Sequence, residues 1–408
     1  MAYKVLRYSR ALNLILSKIN PIKDTELAEI RDAMGRVLAE DIVAKMDIPP
    51  YDRAAMDGFA VRAEDTLGAS TENPISLRII GESEIGKPFP GEVNRGEAVR
   101  ISTGAVIPKG ADAVIRIEDC EEENGKVIIF KSVSVGENIS FKGEDVKEGE
   151  IVLSKGTIIK HFDIAMLKAL GIKRVWVYRR LKVGIFAVGD ELVDDLAELK
   201  EGKILEYTRE IAIGFFKQYG AIVKDYGIIG DDTEEIRNAI ESALNENDIL
   251  VTVGGTSVGK KDFVPRAVED MGEIIVHRVA VQPGKPFCFG IINNKPVICL
   301  PGLPVAAYAD LILFVLRILE KMMSLNKPLE YPKARGILKK PIYSRPGWVT
   351  VSRVKLIGNY VEPIMIMGSG VLSTVVKADG LVIVPEDAEG FDAGREVDVI
   401  LTRWVAYV

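Results

Sequence analysis

The stretch best suited to bind an anion is an apolar run that ends in paired glycines. Residues 249–253 are rich in β-branched side chains, which predicts a buried strand. Gly254, Gly255, Thr256 and Ser257 follow it. Glycines let the backbone approach a ligand and point its N–H groups at an anion, and a helix predicted from Asp262 adds its positive end. The pattern indicates a phosphate or oxyanion site. An ordinary Gly-rich turn fits equally well, because no full P-loop or G-x-G-x-x-G pattern is present.

Other predicted strands of the same region also end in acidic or turn-forming residues. Glu191 follows a strand at 183–188, and Asp231 follows a strand at 221–229. A strand at 297–300 ends at Pro301, Gly302, Leu303 and Pro304. Helices predicted between the strands make residues 181–326 a doubly wound, mostly parallel α/β domain. Ligands bind such sheets beyond the carboxyl ends of the strands, so these residues are expected at one edge of the sheet.

Residues 49–145 have short apolar runs between glycines and prolines, which predicts a small β-rich domain. Three of its stretches contain polar residues that a strand does not need, around Asp57, Thr103 and Asp145. A single Asp-Gly or Gly-Glu-Asp sequence is more often a solvated turn. A functional role therefore depends on the three stretches occurring together.

The remaining segments are predicted to frame these two domains. Helices are predicted at 3–19 and 24–36, and we expect residues 1–48 to pack with residues 146–180 as one discontinuous domain. Short strands between Gly, Pro and Asp turns predict a small β-barrel or sandwich over 327–408.

Composition excludes several classes of site. The net charge of -6 argues against a nucleic-acid binder, and no apolar run is long enough to cross a bilayer, so a cytoplasmic protein is expected. The cysteines are far apart and His161 and His277 are the only histidines, which argues against a zinc site or a Ser-His-Asp triad. A metal would have oxygen ligands, and Mg²⁺ is then the expected ion. The scarcity of glutamine beside abundant Lys and Glu favours a thermophilic source.

Five stretches follow one another along nearly the whole chain: residues 54–60 (AAMDGFA), 102–105 (STGA), 189–192 (GDEL), 254–259 (GGTSVG) with Asp262, and 283–286 (PGKP) followed by 300–304 (LPGLP). Together they resemble the molybdopterin molybdotransferase family, which includes MoeA and the E domain of gephyrin. The resemblance implies a multidomain α/β protein from an archaeal or thermophilic source. Its parts are a MogA-like molybdopterin-binding domain, a β-rich domain, an elongated discontinuous α+β linker domain and a C-terminal β-barrel.

The resemblance also implies an activity. The family cleaves adenylylated molybdopterin with Mg²⁺ and inserts molybdate at the dithiolene, which gives molybdenum cofactor and AMP. It forms homodimers in which the β-rich domain of one subunit faces the α/β domain of the other, so the active site is shared. The adenylyltransferase of the same pathway is a candidate partner. By motif, the catalytic residues are expected to be Asp57, Thr103, Asp145, Glu191, Asp231 and Asp262.

The residue types suit this chemistry. Lys285 offers a point charge to a phosphate, and Asp57, Asp145, Glu191 and Asp231 would repel the substrate unless Mg²⁺ lies between them. Arg345, Arg353 and Ser369 are expected to hold the oxyanion. The residues assigned to the pterin and its phosphates are Gly254, Gly255, Thr256, Ser257, Gly284, Lys285, Pro286, Pro301, Gly302 and Pro304.

Three departures from the family pattern leave the choice between molybdate and tungstate open. Gln282 stands where the family often has Lys, Leu303 where it often has Asn, and residues 206–209 replace an Asp-[Ser/Thr]-Asn stretch. Each is expected to remove a polar group near the site. Two other functions stay open: molybdopterin adenylyltransferase, which resembles the α/β domain alone, and a non-catalytic dimeric scaffold of the gephyrin type.

Overall fold

The structure, a computed structural model, describes residues 4–256, 262–365 and 368–403. The chain begins with helix α1 (Tyr8–Lys18) and strands β1 (Thr25–Glu29) and β2 (Ile42–Val43). The helix predicted at 24–36 is wrong, because β1 occupies this segment and ends in a 3-10 turn at Ile30–Asp32. A short isolated helix is marginally stable, whereas pairing with residues 174–178 supplies backbone hydrogen bonds to this segment.

The next part of the chain is a β-rich unit built on a six-stranded sheet in the order β7-β4-β6-β5-β9-β8. Phe59 and Ala60 are consecutive in β4 and belong to different buried clusters, so both faces of the sheet are covered. Because β4 (Gly58–Val61) is an inner strand, the sheet fixes the position of the turn that joins β3 (Arg53–Ala54) to β4. The strands are β3 (Arg53–Ala54), β4 (Gly58–Val61), β5 (Ile75–Ser83), β6 (Glu97–Ile101), β7 (Ala113–Arg116), β8 (Cys120–Glu123), β9 (Lys126–Ile129) and β10 (Ile139–Ser140).

The chain then returns to pack against its N-terminal part. The elements that do so are strand β11 (Ile151–Leu153), helix α2 (His161–Ala169) and strand β12 (Arg174–Tyr178). β12 pairs with β1 and β11 pairs with β2, both antiparallel, so segments far apart in sequence share one core. Helix α1 packs elsewhere, since its Ala11 and Ile15 join the core of the following α/β unit. The domain boundaries given above remain a prediction.

The α/β unit has a six-stranded sheet in the order β16-β13-β17-β21-β20-β18. β16, β13, β17 and β21 are parallel neighbours, and β20 runs antiparallel to both of its neighbours. Buried clusters cover both faces of the sheet. The elements are β13 (Lys182–Val188), β14 (Leu192–Val193), β15 (Ile204–Leu205), α3 (Thr208–Gln218), β16 (Ile222–Ile229), α4 (Thr233–Glu246), β17 (Ile249–Gly254), α5 (Phe263–Met271), β18 (Glu273–His277), β19 (Val281–Gln282), β20 (Cys288–Ile292), β21 (Lys295–Leu300), α6 (Pro304–Asp310) and α7 (Leu316–Met322). A π-helical segment, Leu311–Val315, joins α6 to α7.

The C-terminal part is a closed barrel in which β24, β25, β22, β28 and β26 pair in turn and β26 pairs back with β24. Strand β19 adds to β24 in parallel and so ties the barrel to the α/β unit. These features confirm the predicted fold class. No helix of the described residues is long and apolar enough to span a membrane. The elements are β22 (Lys333–Leu338), β23 (Ile342–Tyr343), β24 (Val349–Ile357), β25 (Tyr360–Met365), α8 (Ser373–Val376), β26 (Gly380–Val384), β27 (Gly390–Phe391) and β28 (Glu396–Leu401).

Candidate functional site

The two glycines that end β17 are required by their surroundings. Gly254 has φ +85°, and a Cβ there would lie 2.6 Å from the carbonyl oxygen of Val188. Gly255 has φ +65°, and a Cβ there would lie 2.7 Å from Cγ2 of Val264. Side chains are disfavoured both by this backbone conformation and by the lack of space. We call residues 254–257 the glycine loop; its last member, Ser257, lies outside the described residues.

A cavity of about 310 Å³ opens beside the glycine loop, and we call it the first cavity. Residues that follow several parallel strands of the α/β sheet meet in the wall of this cavity, at the carboxyl ends of the strands. The predicted site residues in its wall are Glu191, Gly254, Gly255, Thr256, Pro286, Pro301 and Gly302.

Glu206 also lines the first cavity, although the sequence led us to expect the loss of a polar group there. Its Oε1 accepts the N–H groups of Thr208 at 2.8 Å and Arg209 at 2.9 Å, so it caps the start of α3. Burial raises the pKa of this carboxyl. The Thr208 hydroxyl donates to the carbonyl of Gly302 at 2.9 Å. This stretch therefore supports the loop of Pro301 and Gly302 and keeps a carboxyl in the cavity wall.

A second cavity, of about 330 Å³, lies between the α/β unit and the barrel. It contains Lys285, which is exposed, together with Arg345 and Ser369 from the barrel. The guanidinium carbon of Arg345 lies 5.6 Å from the centre of the Trp348 ring. Pro286, Pro301 and Leu303 border both cavities, so the two are neighbours.

Arg353, also predicted to hold an oxyanion, is only 1% exposed and is absent from the wall of the second cavity. It donates to the carbonyl of Gly368 at 3.2 Å and to Oγ1 of Thr374 at 3.3 Å. Burial lowers the pKa of its guanidinium. In this position Arg353 supports the loop that carries Ser369.

The acidic residues at the sheet edge make different contacts. Asp190 accepts the N–H of Asp231 through Oδ1 at 2.9 Å, which joins the ends of β13 and β16. The carboxylate of Glu191 lies against the α-carbon of Gly189, where a Cβ would be 3.1 Å from it. Asp262 precedes α5, and its Oδ2 lies 3.3 Å from Nε2 of His277. Asp262 thus faces β18, and neither cavity includes it in its wall.

Asp57 and Thr103 are brought together in the β-rich unit. The Thr103 backbone N–H and hydroxyl donate to Oδ1 of Asp57 at 2.7 and 2.9 Å. These bonds, the backbone one first, lower the pKa of the exposed Asp57 carboxyl, so it is ionised at neutral pH. Gly58 permits the turn, because a Cβ there would lie 1.8 Å from the carbonyl oxygen of Ile115. Asp145 is exposed in the same unit.

The four carboxylates predicted to hold Mg²⁺ do not form a site within one chain. Among the described residues, no group of three or more His, Cys, Asp or Glu side chains is arranged to hold a metal ion. Asp57 and Asp145 belong to the β-rich unit, whereas Glu191 and Asp231 lie at the edge of the α/β sheet. Within the described part of one chain, these four carboxylates therefore do not fit the ion.

The sequence interpretation missed Asp310. It is fully buried, and neither of its carboxylate oxygens has a hydrogen-bond partner among the described residues. A signal was present, because Asp310 is the one acidic residue in the apolar run 305–316. Unpaired acids are rarely buried in such helices.

Three family models match consecutive parts of the chain: the MoeA N-terminal region (domain I and II) at residues 6–171, a probable molybdopterin binding domain at 184–321, and the MoeA C-terminal region (domain IV) at 335–402. The chain is 34% identical to the molybdopterin molybdenumtransferase of Staphylococcus epidermidis, over 96% of this chain and 94% of that protein. It is 31% identical to the Haemophilus influenzae protein of that name, over 97% and 98%. The crystal structure of a molybdopterin biosynthesis MoeA protein from Pyrococcus horikoshii matches with a TM-score of 0.87 and 39% identity, over 98% of this chain and 100% of that one.

Proposed function

Because the chain belongs to the MoeA family, we propose that it is a molybdopterin molybdenumtransferase that cleaves adenylylated molybdopterin, inserts molybdate or tungstate, and releases AMP. The coarser activity is supported by full-length relatives of that name. The finer steps are our proposal, and the chemistry of the two neighbouring cavities supports it.

The observation that carries this proposal is the pair of neighbouring cavities with anion-binding groups in both. The first presents the backbone of Gly254 and Gly255, and the second presents the cations of Lys285 and Arg345. Backbone N–H groups and charged side chains are the usual partners of phosphate and oxyanions. A substrate with a phosphate and a separate metal-binding group could occupy both cavities at once.

Each group is assigned one role. The glycine loop orients a phosphate through its backbone, and Lys285 adds a localised positive charge. Asp57, fixed as a carboxylate by Thr103, is available to orient water or a cation. When bound, Mg²⁺ would neutralise phosphate charge.

The separation of Asp57 from the cavities leads us to propose a homodimer with a shared site. The described residues that line the two cavities come from the α/β unit and the barrel. The β-rich unit of a second subunit could bring Asp57 and Asp145 to these cavities, as twofold symmetry then completes both sites.

Titration of adenylylated molybdopterin against the parent and Lys285→Ala tests the site. A charge-assisted hydrogen bond contributes about 1.5–3 kcal/mol, so we expect the variant to bind about 10- to 150-fold more weakly. Lys355→Ala, which removes an exposed lysine of the barrel, is the matched control and should bind like the parent. Equal affinities of all three proteins would remove Lys285 from the site.

Turnover separates the proposed reaction from its alternatives. With adenylylated molybdopterin, molybdate and Mg²⁺, the parent should release AMP. Formation of the adenylate from ATP and molybdopterin would instead identify an adenylyltransferase. A protein that does neither would fit the scaffold function.

A further inference from the structure

The turn that carries Lys285 lies directly over the buried acid Asp310. A Cβ built on Gly284 would lie 2.2 Å from Oδ1 of Asp310 and 3.1 Å from Cγ1 of Val281. Gly284 has φ +131°, a conformation that favours glycine. We call residues 283–287 the lysine turn. Its glycine lets the backbone rest on the carboxyl group.

A second contact fixes the same turn to the same helical stretch. Phe287 stacks on Phe314, with ring centroids 4.4 Å apart and planes inclined by 15°. Asp310 and Phe314 both contact the lysine turn, so they lie on the same side of this helical stretch. Residues Leu311–Val315, which include Phe314, are π-helical, a local form often found near functional sites.

The turn is closed by backbone hydrogen bonds that can report its position. The N–H of Phe287 donates to the carbonyl of Gly284 at 3.1 Å, and the N–H of Val279 donates to the carbonyl of Lys285 at 3.1 Å. Lys285 is exposed to the second cavity, whereas Pro283 and Gly284 are buried. Any shift of the buried side of the turn therefore moves the lysine in the cavity.

We propose that Asp310 is a positioning residue for substrate binding: its buried carboxyl group supports Gly284 and so holds the lysine turn, with Lys285 at its tip, in the second cavity. The inference rests on the proposed function for its substrate. Asp310 touches no reacting atom and acts through the turn.

Substitutions of Asp310 should differ in effect according to whether the side chain only fills space or acts through its polar group. Burial raises the pKa of the Asp310 carboxyl well above its usual range, which favours the neutral acid. Asparagine reproduces its size and polarity, whereas leucine of similar size supplies only apolar contact. A buried polar group left without a partner is costly, so an apolar filler would be preferred if space-filling were the only need.

The experiment compares Asp310→Asn and Asp310→Leu with the parent in two measurements. Hydrogen exchange of the Phe287 and Val279 amides reports the turn without substrate, and titration with adenylylated molybdopterin reports Kd. We expect Asp310→Leu to lose amide protection and to bind about tenfold more weakly, while Asp310→Asn retains both properties. kcat at saturating substrate should change by less than about twofold, because positioning for binding affects KM.

Ile318→Ala serves as the folding control, since it removes another fully buried side chain two helical turns further along. It should destabilise the protein without changing exchange in the turn. Asp310→Leu with the parent's exchange and Kd would overturn the inference, as would an Asp310→Asn variant as impaired as Asp310→Leu. Failure of the parent itself to bind would instead refute the proposed function, and the exchange data would still test the role of Asp310.

Discussion

Asp310 should make the stability of the α/β unit depend on pH in a way that Asp310→Asn abolishes. Burial raises the pKa of the folded-state carboxyl well above the ordinary value of about 3.9 that applies in the unfolded chain. As pH rises above about 4, the unfolded chain releases this proton while the folded protein keeps it. The stability associated with Asp310 is therefore fully present below the unfolded pKa and is lost as pH rises through the folded pKa.

The size of this pH dependence follows from the release of one proton, that of the Asp310 carboxyl. The free energy of unfolding of the parent, relative to Asp310→Asn, should fall by about 1.4 kcal/mol for each pH unit between those two pKa values. Above the folded pKa the difference becomes constant. All other titrating groups are shared by the two proteins and cancel in the comparison.

Guanidinium unfolding at several pH values between 4 and 8, followed by circular dichroism at 222 nm, measures this difference. The helical signal comes mainly from the α/β unit, which contains α3 to α7. Ile318→Val changes the same core without adding or removing a titrating group, so its difference from the parent should not vary with pH. A difference between the parent and Asp310→Asn that is flat over the whole range would show that the buried carboxyl has an ordinary pKa.

Three further outcomes are expected. Asp57→Asn should fold and bind adenylylated molybdopterin but release AMP orders of magnitude more slowly, as measured at saturating Mg²⁺. Gly255→Ala should lower the free energy of unfolding by about 2 kcal/mol or more because its Cβ meets Val264 at 2.7 Å, whereas Gly227→Ala, with positive φ and open space, should cost about 1 kcal/mol. Mixed dimers of Asp57→Ala and Lys285→Ala subunits should regain AMP release at substrate concentrations below saturation; no recovery after proven subunit exchange would argue against a shared site.

Elements with a strong local pattern could be predicted from the sequence. The apolar run at 249–253 forms β17. Asp232, followed by Thr233, Glu234 and Glu235, has the sequence of a helix N-cap, and it accepts the N–H groups of Glu234 and Glu235 at the start of α4. The glycine loop was recognisable for the same reason, since close backbone approach requires glycine. Local chemistry decides these features, so a single sequence contains enough information.

Features decided by distant contacts could not be predicted in this way. Residues 25–29 form a strand because residues 174–178 pair with them, and their own pattern resembles a helix. Arg353 looks like any other arginine in sequence, yet the barrel buries it. The role of Asp310 likewise depends on Gly284, which lies 26 residues away and meets it only in the folded chain.

The three positions expected to depart from the family pattern are divided between the two cavities. Gln282 and Leu303 line the second cavity with Arg345 and Ser369, whereas Leu303 and Glu206 line the first beside the glycine loop. Gln282 is further held in place because its backbone pairs with Thr350 of the barrel. Gln282 lines only the second cavity, so a change of charge or polarity at this position acts on the group that lies beside Arg345 and leaves the backbone donors of Gly254 and Gly255 unaltered. Substitution of Gln282 should therefore alter oxyanion preference while phosphate recognition in the first cavity is retained.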